Sequence, residues 1–166
     1  MVEEEVKVNE YKVKEQKDGH ILTTRNLGAD IAFTCFSSKL KKVAMARNIN
    51  AAQIEELFNE LNIKKLSDKS LIKIHIIGGD TSESSKKYVE NLINQLDKID
   101  NGRGIIDIIG KDVNESKHPD SIKIDCYHGG VNPHNPEIWK EGRLTFEEMV
   151  ISKRQNSKNK DQCNII

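Results

Sequence analysis

The apolar residues of this chain occur in short runs, and only two stretches repeat them at the spacing of an amphipathic helix. The spacing predicts the first helix over residues 51–62, after a candidate N-cap at Asn50, and a second helix that residues 82–84 can cap and that carries Val89, Leu92, Ile93 and Leu96. The other runs predict β-strands at residues 6–13, 21–24, 27–36, 43–46, 71–77, 105–109 and 122–127, of which residues 27–36 begin with a glycine turn. Two helices among strands that follow one another in sequence predict an α+β fold of layered, mixed β-sheets packed with two main helices.

The composition limits the classes of function. The 166 residues suit one domain, and 26 Lys and Arg against 26 Asp and Glu give a formal net charge of +0. This balance gives no electrostatic reason to expect a nucleic-acid partner. The three cysteines form no CxxC motif, which predicts a reducing, cytoplasmic environment. The N-terminal segment has no signal-peptide core, no apolar run is long enough to span a membrane, and no cofactor is expected.

The order in the sequence weakens after the last predicted strand. Residues 132–136 are rich in Asn and Pro and are predicted to form a loop. We expect one domain over residues 1–150 and a polar, basic, disordered tail over residues 151–166.

Two segments, in their order along the chain, carry a resemblance to a known family. Residues 24–30 read Thr-Arg-Asn-Leu-Gly-Ala-Asp before an apolar run, and residues 73–79 read Lys-Ile-His-Ile-Ile-Gly-Gly before a helix. Over residues 5–131 the chain resembles the chemoreceptor glutamine deamidases, the CheD family, in which the first segment reads Thr-x-x-Leu-Gly-Ser-Cys.

The resemblance implies three site positions. In the family a cysteine attacks a glutamine side-chain amide, a histidine acts as the base and a threonine orients the histidine. Thr24 matches the threonine, Asp30 falls on the cysteine and Arg47 falls on the histidine. A carboxylate is a poor nucleophile toward an amide, and a guanidinium stays protonated near neutral pH. We therefore expect a catalytically impaired domain that binds a protein partner, with Asp30 and Arg47 forming an ion pair beside Thr24.

Two thiols keep an enzymatic alternative open. Cys35 is a fallback nucleophile for an active protein-glutamine deamidase, and a buried core thiol is the competing interpretation. Cys126 and His128 are two residues apart on a predicted strand, so we expect them to share a face. A displaced Cys/His pair is one interpretation of this spacing, and a structural or solvated histidine is the competing one. Together with His118 and His134 they match no strong zinc signature, so no metal is expected. A third interpretation is a structural or adaptor domain unrelated to the family.

The last four residues suggest a lipid anchor. Cys163-Asn164-Ile165-Ile166 fits the C-a-a-X prenylation pattern, and the preceding residues 153–160 are rich in Lys and Arg. A prenyl chain beside a basic stretch is a two-signal arrangement that holds a protein at a membrane. Because prenylation is performed by eukaryotic enzymes and the resembling family is bacterial, this pattern predicts a bacterial effector that is lipidated in a host cell.

Overall fold

The computed structural model describes residues 2–67, 71–115 and 119–134, and these form two α-helices and nine β-strands in two sheets. In chain order the elements are β1 (Val2–Glu5), β2 (Glu10–Glu15), β3 (His20–Thr24), β4 (Ile31–Ser37), β5 (Lys42–Arg47), α1 (Ala51–Glu60), β6 (Ile72–Gly78), α2 (Glu83–Asp100), β7 (Ile106–Val113), β8 (Ser121–Asp125) and β9 (Val131–His134). The larger sheet has the order β2-β5-β4-β6-β7, and the smaller has the order β1-β3-β8-β9. Both sheets combine parallel and antiparallel pairs, which confirms the predicted α+β fold with mixed sheets.

The five-stranded sheet is the middle layer of the molecule. Successive side chains of β4 point to opposite faces, so Ile31 and Phe33 pack in the core beneath the helices, whereas Ala32 packs in a second core beneath the smaller sheet. Because both faces of β4 are covered, its run of apolar residues is almost fully buried. This burial fixes the start of β4, and with it the position of Asp30.

The two helices form where the apolar spacing and the caps predict them. Asn50 caps α1 in a reciprocal capping box with Gln53, in which each side chain accepts a hydrogen bond from the other residue's backbone N–H. Ser82 caps α2 by accepting a hydrogen bond from the Ser85 backbone. Both helices turn their apolar residues to the five-stranded sheet, burying Ile54, Leu57, Phe58, Val89, Leu92 and Leu96.

The predicted first strand over residues 6–13 is only partly right, because residues 10–13 lie in β2 and residues 6–9 lie in no strand. The chain turns at residues 6–9, where Asn9 has a φ of 62°, and β1 and β2 on either side of the turn belong to different sheets. β1 reads Val-Glu-Glu-Glu and pairs in parallel with β3 through its backbone, while its side chains remain largely exposed. A strand of this kind carries no apolar alternation, so the sequence pattern does not reveal it.

The end of the described chain also differs from the expectation. The strand predicted over residues 122–127 ends at Asp125, and residues 126–128 form a turn. Residues 131–134 form β9, which pairs antiparallel with β8, so residues 132–134 of the predicted loop belong to a strand. Pro133 is tolerated there because β9 lies at the edge of its sheet. The predicted boundary between residues 150 and 151 lies outside the described residues.

Candidate functional site

Thr24, Asp30 and Arg47 meet where the two sheets approach each other. Thr24 is the last residue of β3 in the smaller sheet, Arg47 is the last residue of β5 in the larger sheet, and Asp30 immediately precedes β4. A tight turn positions Asp30, whose backbone N–H donates to the Leu27 carbonyl at 2.8 Å, with Gly28 at a φ of 56°. The structure therefore brings together all three residues that the resemblance singled out.

The Arg47 guanidinium makes four hydrogen bonds, and its Nη2 is also ion-paired with Asp30. Nε and Nη2 each lie 3.0 Å from Oδ2 of Asp30. Nη1 donates to Oγ1 of Thr24 at 3.3 Å and to the Arg25 carbonyl at 2.6 Å, and Nη2 also donates to the Asn26 carbonyl at 2.9 Å. Four of the five guanidinium N–H groups are therefore engaged by neighbouring groups of the protein, and none of the three nitrogens is without such a contact.

The Thr24 hydroxyl also uses its one hydrogen in a hydrogen bond within the protein. The hydroxyl accepts a hydrogen bond from Arg47 and donates to the Val6 carbonyl at 2.7 Å, and the side chain is fully buried. Val6 belongs to the segment between β1 and β2, so this hydroxyl links that segment to the Arg47 cluster. The arrangement holds the strand ends together and leaves the Thr24 hydroxyl no hydrogen to donate to a catalytic base.

Asp30 is the member of the cluster that reaches the surface. Its side chain is 24% exposed, whereas the Arg47 side chain is 9% exposed. Both contacts from Arg47 go to Oδ2 of Asp30. Its other carboxylate oxygen, Oδ1, makes no hydrogen bond within the described residues. Burial and the negative charge of Asp30 together raise the pKa of Tyr88, whose hydroxyl donates to the Ile49 carbonyl at 2.6 Å. The cluster thus leaves one carboxylate oxygen, on its most exposed side chain, without a hydrogen bond from the described residues.

Cys35 lies in the core between the helices and the five-stranded sheet and is fully buried. Burial raises the pKa of its thiol well above the usual range, so the reactive thiolate is strongly disfavoured. This position agrees with the interpretation of Cys35 as a buried core thiol. A substrate could not reach the sulfur without opening the core.

Cys126 and His128 do not share a strand face, so that expectation is wrong. Both lie in the turn after β8, where Cys126 points into the second core and His128 is exposed. Burial, together with the charge of Asp125, raises the pKa of the Cys126 thiol to about 11. Nδ1 of His128 lies 3.2 Å from Oδ2 of Asp125, and its ring packs edge-on against Tyr127. The Asp125 carboxylate orients this imidazole, while the thiol faces the interior.

The remaining candidates give no metal centre within the described part of the chain. No group of three His, Cys, Asp or Glu side chains there has the geometry of a metal site. His134 ends β9, while His118 and Cys163 lie outside the described residues. None of the helices in residues 2–67, 71–115 and 119–134 is long and apolar enough to cross a membrane.

Sequence reasoning missed the main-chain acceptors of the cluster. The carbonyls of Arg25 and Asn26 bind Arg47 because the chain turns after β3, with Asn26 at a φ of 55°. Asparagine tolerates this left-handed conformation better than most residues, so Asn26 and Gly28 were the available signal for a turn at this point. A turn signal does not say where its carbonyls point.

Comparison with known proteins adds one relative. No model of a known protein family matches the chain. The uncharacterized protein RC0132 of Rickettsia conorii is 47% identical to it over 64 residues, which are 39% of this chain and 85% of that relative.

Proposed function

This chain belongs to the same family as the uncharacterized protein RC0132 of Rickettsia conorii, and we propose that it is a binding module for a protein partner. The module would be a CheD-like domain in which the catalytic positions have been replaced and a contact to the former substrate group has been kept. The resemblance implies the substrate class, a protein glutamine. The side chains at the positions of the nucleophile and the base explain why such a glutamine would be bound and not hydrolysed.

The state of Arg47 carries the proposal. At the position that the resemblance gives to the base, the side chain is a permanent cation that already makes four hydrogen bonds and an ion pair with its neighbours. At the position of the nucleophile, Asp30 presents a carboxylate oxygen that makes no hydrogen bond within the described residues. A carboxylate oxygen accepts hydrogen bonds well, and a glutamine amide donates two. Asp30 is therefore suited to hold a glutamine side chain and unsuited to cleave it.

The alternative of an active cysteine amidohydrolase finds less support. Cys35 and Cys126 are both buried, and burial raises the pKa of both thiols. A catalytic cysteine needs the opposite surroundings, which are exposure and a neighbouring cation that lowers the pKa. An adaptor unrelated to the deamidases remains the third interpretation, and it shares the proposed binding function.

The first experiment tests for catalysis. The purified protein is incubated with glutamine-containing proteins, and the release of ammonia is followed beside a no-enzyme blank. We expect no release above the blank. If ammonia is released and either Cys35→Ser or Cys126→Ser abolishes the release, the protein is an amidohydrolase and the proposal is wrong.

The second experiment tests for binding near the Arg47 cluster. Val8 is half exposed and precedes Asn9, whose N–H donates to the Arg47 carbonyl at 2.9 Å, so Val8 marks the surface beside the site. Leu71 is similarly exposed but precedes β6 at the opposite end of the five-stranded sheet. Cross-linking in cells followed by mass spectrometry should recover a glutamine-bearing partner with wild type and Leu71→Asp, and lose it with Val8→Asp. Equal recovery with both variants would remove the site from the interface.

We also propose that Cys163 is prenylated and holds the protein at a membrane. The support is the sequence alone: Cys163-Asn164-Ile165-Ile166 fits the C-a-a-X pattern, and Lys153, Arg154, Lys158 and Lys160 precede it. In this interpretation the protein is a bacterial effector that receives its lipid inside a host cell. An N-terminally tagged chain expressed in eukaryotic cells should fractionate with membranes, and Cys163→Ser should not. Identical fractionation of the two chains would end the proposal.

A further inference from the structure

The turn that joins α2 to β7 contains the sequence Asn101-Gly102. Asn101 caps the C-terminus of α2 in the left-handed conformation, with a φ of 49°, and both residues are exposed. Within the described residues, neither the Asn101 side chain nor the Gly102 N–H makes a hydrogen bond, although the Asn101 N–H donates to the Asp97 carbonyl. The amide and the backbone nitrogen that follows it are thus accessible, close in the chain and unengaged.

We propose that Asn101 is a site of spontaneous deamidation, a covalent modification that goes beyond the proposed function. The backbone nitrogen of Gly102 loses its proton and attacks Cγ of Asn101. The new C–N bond closes a succinimide ring while the Cγ–Nδ2 bond breaks, and ammonia leaves with the proton. Water then opens the ring at either carbonyl, which gives aspartate or isoaspartate at position 101.

Glycine at position 102 favours this reaction. It has no side chain to obstruct the approach of its nitrogen to Cγ of Asn101, and its φ of 73° indicates a backbone that glycine adopts without strain. The chain offers internal controls: Asn9, Asn62 and Asn114 have φ values of 62°, 62° and 58°, but none precedes a glycine. These residues share the backbone conformation of Asn101 and lack the unhindered nucleophile.

The modification would weaken the joint between α2 and β7. The carboxylate of Asp100 accepts hydrogen bonds from the backbone N–H groups of Gly104 at 3.0 Å, Ile105 at 2.7 Å and Ile106 at 2.8 Å, which sets the start of β7. Isoaspartate at position 101 lengthens the main chain beside this carboxylate. Either product also adds a negative charge at the C-terminus of a helix, where the dipole disfavours it.

The test is an incubation of the native protein at mildly alkaline pH, followed by tryptic digestion and mass spectrometry. Cleavage after Lys98 and Arg103 releases residues 99–103, so the conversion of Asn101 is read on its own peptide. We expect this peptide to convert from amide to acid several-fold faster than the peptides that contain Asn9, Asn62 and Asn114. The proposal is overturned if the peptide stays unconverted in the folded protein while it converts in the urea-unfolded chain.

A matched variant separates the modification from general ageing. Asn101→Gly keeps a residue that adopts the left-handed conformation and removes the reacting amide. Aged wild type should have a lower urea midpoint than fresh wild type, whereas aged and fresh Asn101→Gly should have the same midpoint. If aged wild type contains the converted peptide but keeps its urea midpoint, the proposed weakening of the joint is wrong.

Discussion

Nε and Nη2 of Arg47 both lie 3.0 Å from one oxygen of Asp30, Oδ2. This pair joins the end of β5 to the start of β4, and the remaining N–H groups of Arg47 reach across to the end of β3 in the other sheet. A single side chain therefore links the two sheets through one carboxylate, one hydroxyl and two carbonyls. Its removal should affect the stability of the whole fold.

Arg47→Ala should lower the free energy of unfolding by about 3–5 kcal/mol, because it leaves the mostly buried carboxylate of Asp30 and two carbonyls without their donor. Urea denaturation of wild type and variant measures the difference. Arg25→Ala is the control, since the Arg25–Glu3 pair is solvent-exposed and should be worth less than about 1 kcal/mol. Equal costs for the two variants would show that the Arg47 cluster does not hold the sheets together.

The two described thiols should resist alkylation in the folded protein. In a Cys163→Ser background, iodoacetamide at a pH of about 8 should label neither Cys35 nor Cys126, because both are buried and burial raises the pKa of both. Both should react after unfolding in urea, which serves as the control. Rapid labelling of Cys126 in the native protein would reopen the enzymatic alternative.

The stabilising contribution of Tyr11 should be lost at high pH. Its hydroxyl donates to Glu60 at 2.9 Å, and partial burial together with the Glu60 carboxylate raises the pKa of Tyr11 to about 12. The unfolded pKa is about 10, so the folded state holds the proton more tightly. This contribution is fully present below a pH of about 10 and is lost as the pH rises toward 12.

Urea midpoints measured for wild type and Tyr11→Phe on both sides of this window test the sign. Tyr11→Phe should lower the midpoint at neutral pH by removing the hydrogen bond, and the two midpoints should converge at high pH. A constant difference between the two proteins across the window would contradict the proton linkage.

Gly129→Ala should destabilise the fold more than Gly19→Ala does. Both glycines have a left-handed backbone, with φ values of 71° and 75°, so alanine is strained at either position. A Cβ at position 129 would clash with the Phe36 ring, whereas a Cβ at position 19 would have nothing within 4 Å. The difference in unfolding free energy isolates the overpacking, which should cost about 1–3 kcal/mol.

The elements that the sequence predicted well are those whose signal is local. Both helices, their caps at Asn50 and Ser82, and the buried strand β4 follow from apolar spacing and cap chemistry within a few residues. The sequence did not predict β1, because its pairing with β3 uses backbone groups and its acidic side chains carry no apolar pattern. The turn at residues 126–128 was not predicted either, because the apolar alternation of the strand before it continues through Cys126.

The candidate site was predictable only in part. The resemblance gave the positions of Thr24, Asp30 and Arg47, and the opposite charges of Asp30 and Arg47 implied that they would pair. The two carbonyls that complete the shell of Arg47 were not predictable, because every residue has a carbonyl and only the turn after β3 selects these two. The set of contacts around the guanidinium, on which the proposed function depends, is a property of the fold.

The use of one carboxylate oxygen by two nitrogens of Arg47 also bears on how these positions can evolve. A change at position 30 that removes the carboxylate leaves a buried cation without its counter-ion, and a change at position 47 leaves the carboxylate without its cation. Either first step is costly even where the double change is tolerated, so the effects of the two substitutions are strongly non-additive. Positions 30 and 47 should therefore vary together among descendants of this chain, and a lineage that has acquired the pair cannot easily return to an ancestral state one residue at a time.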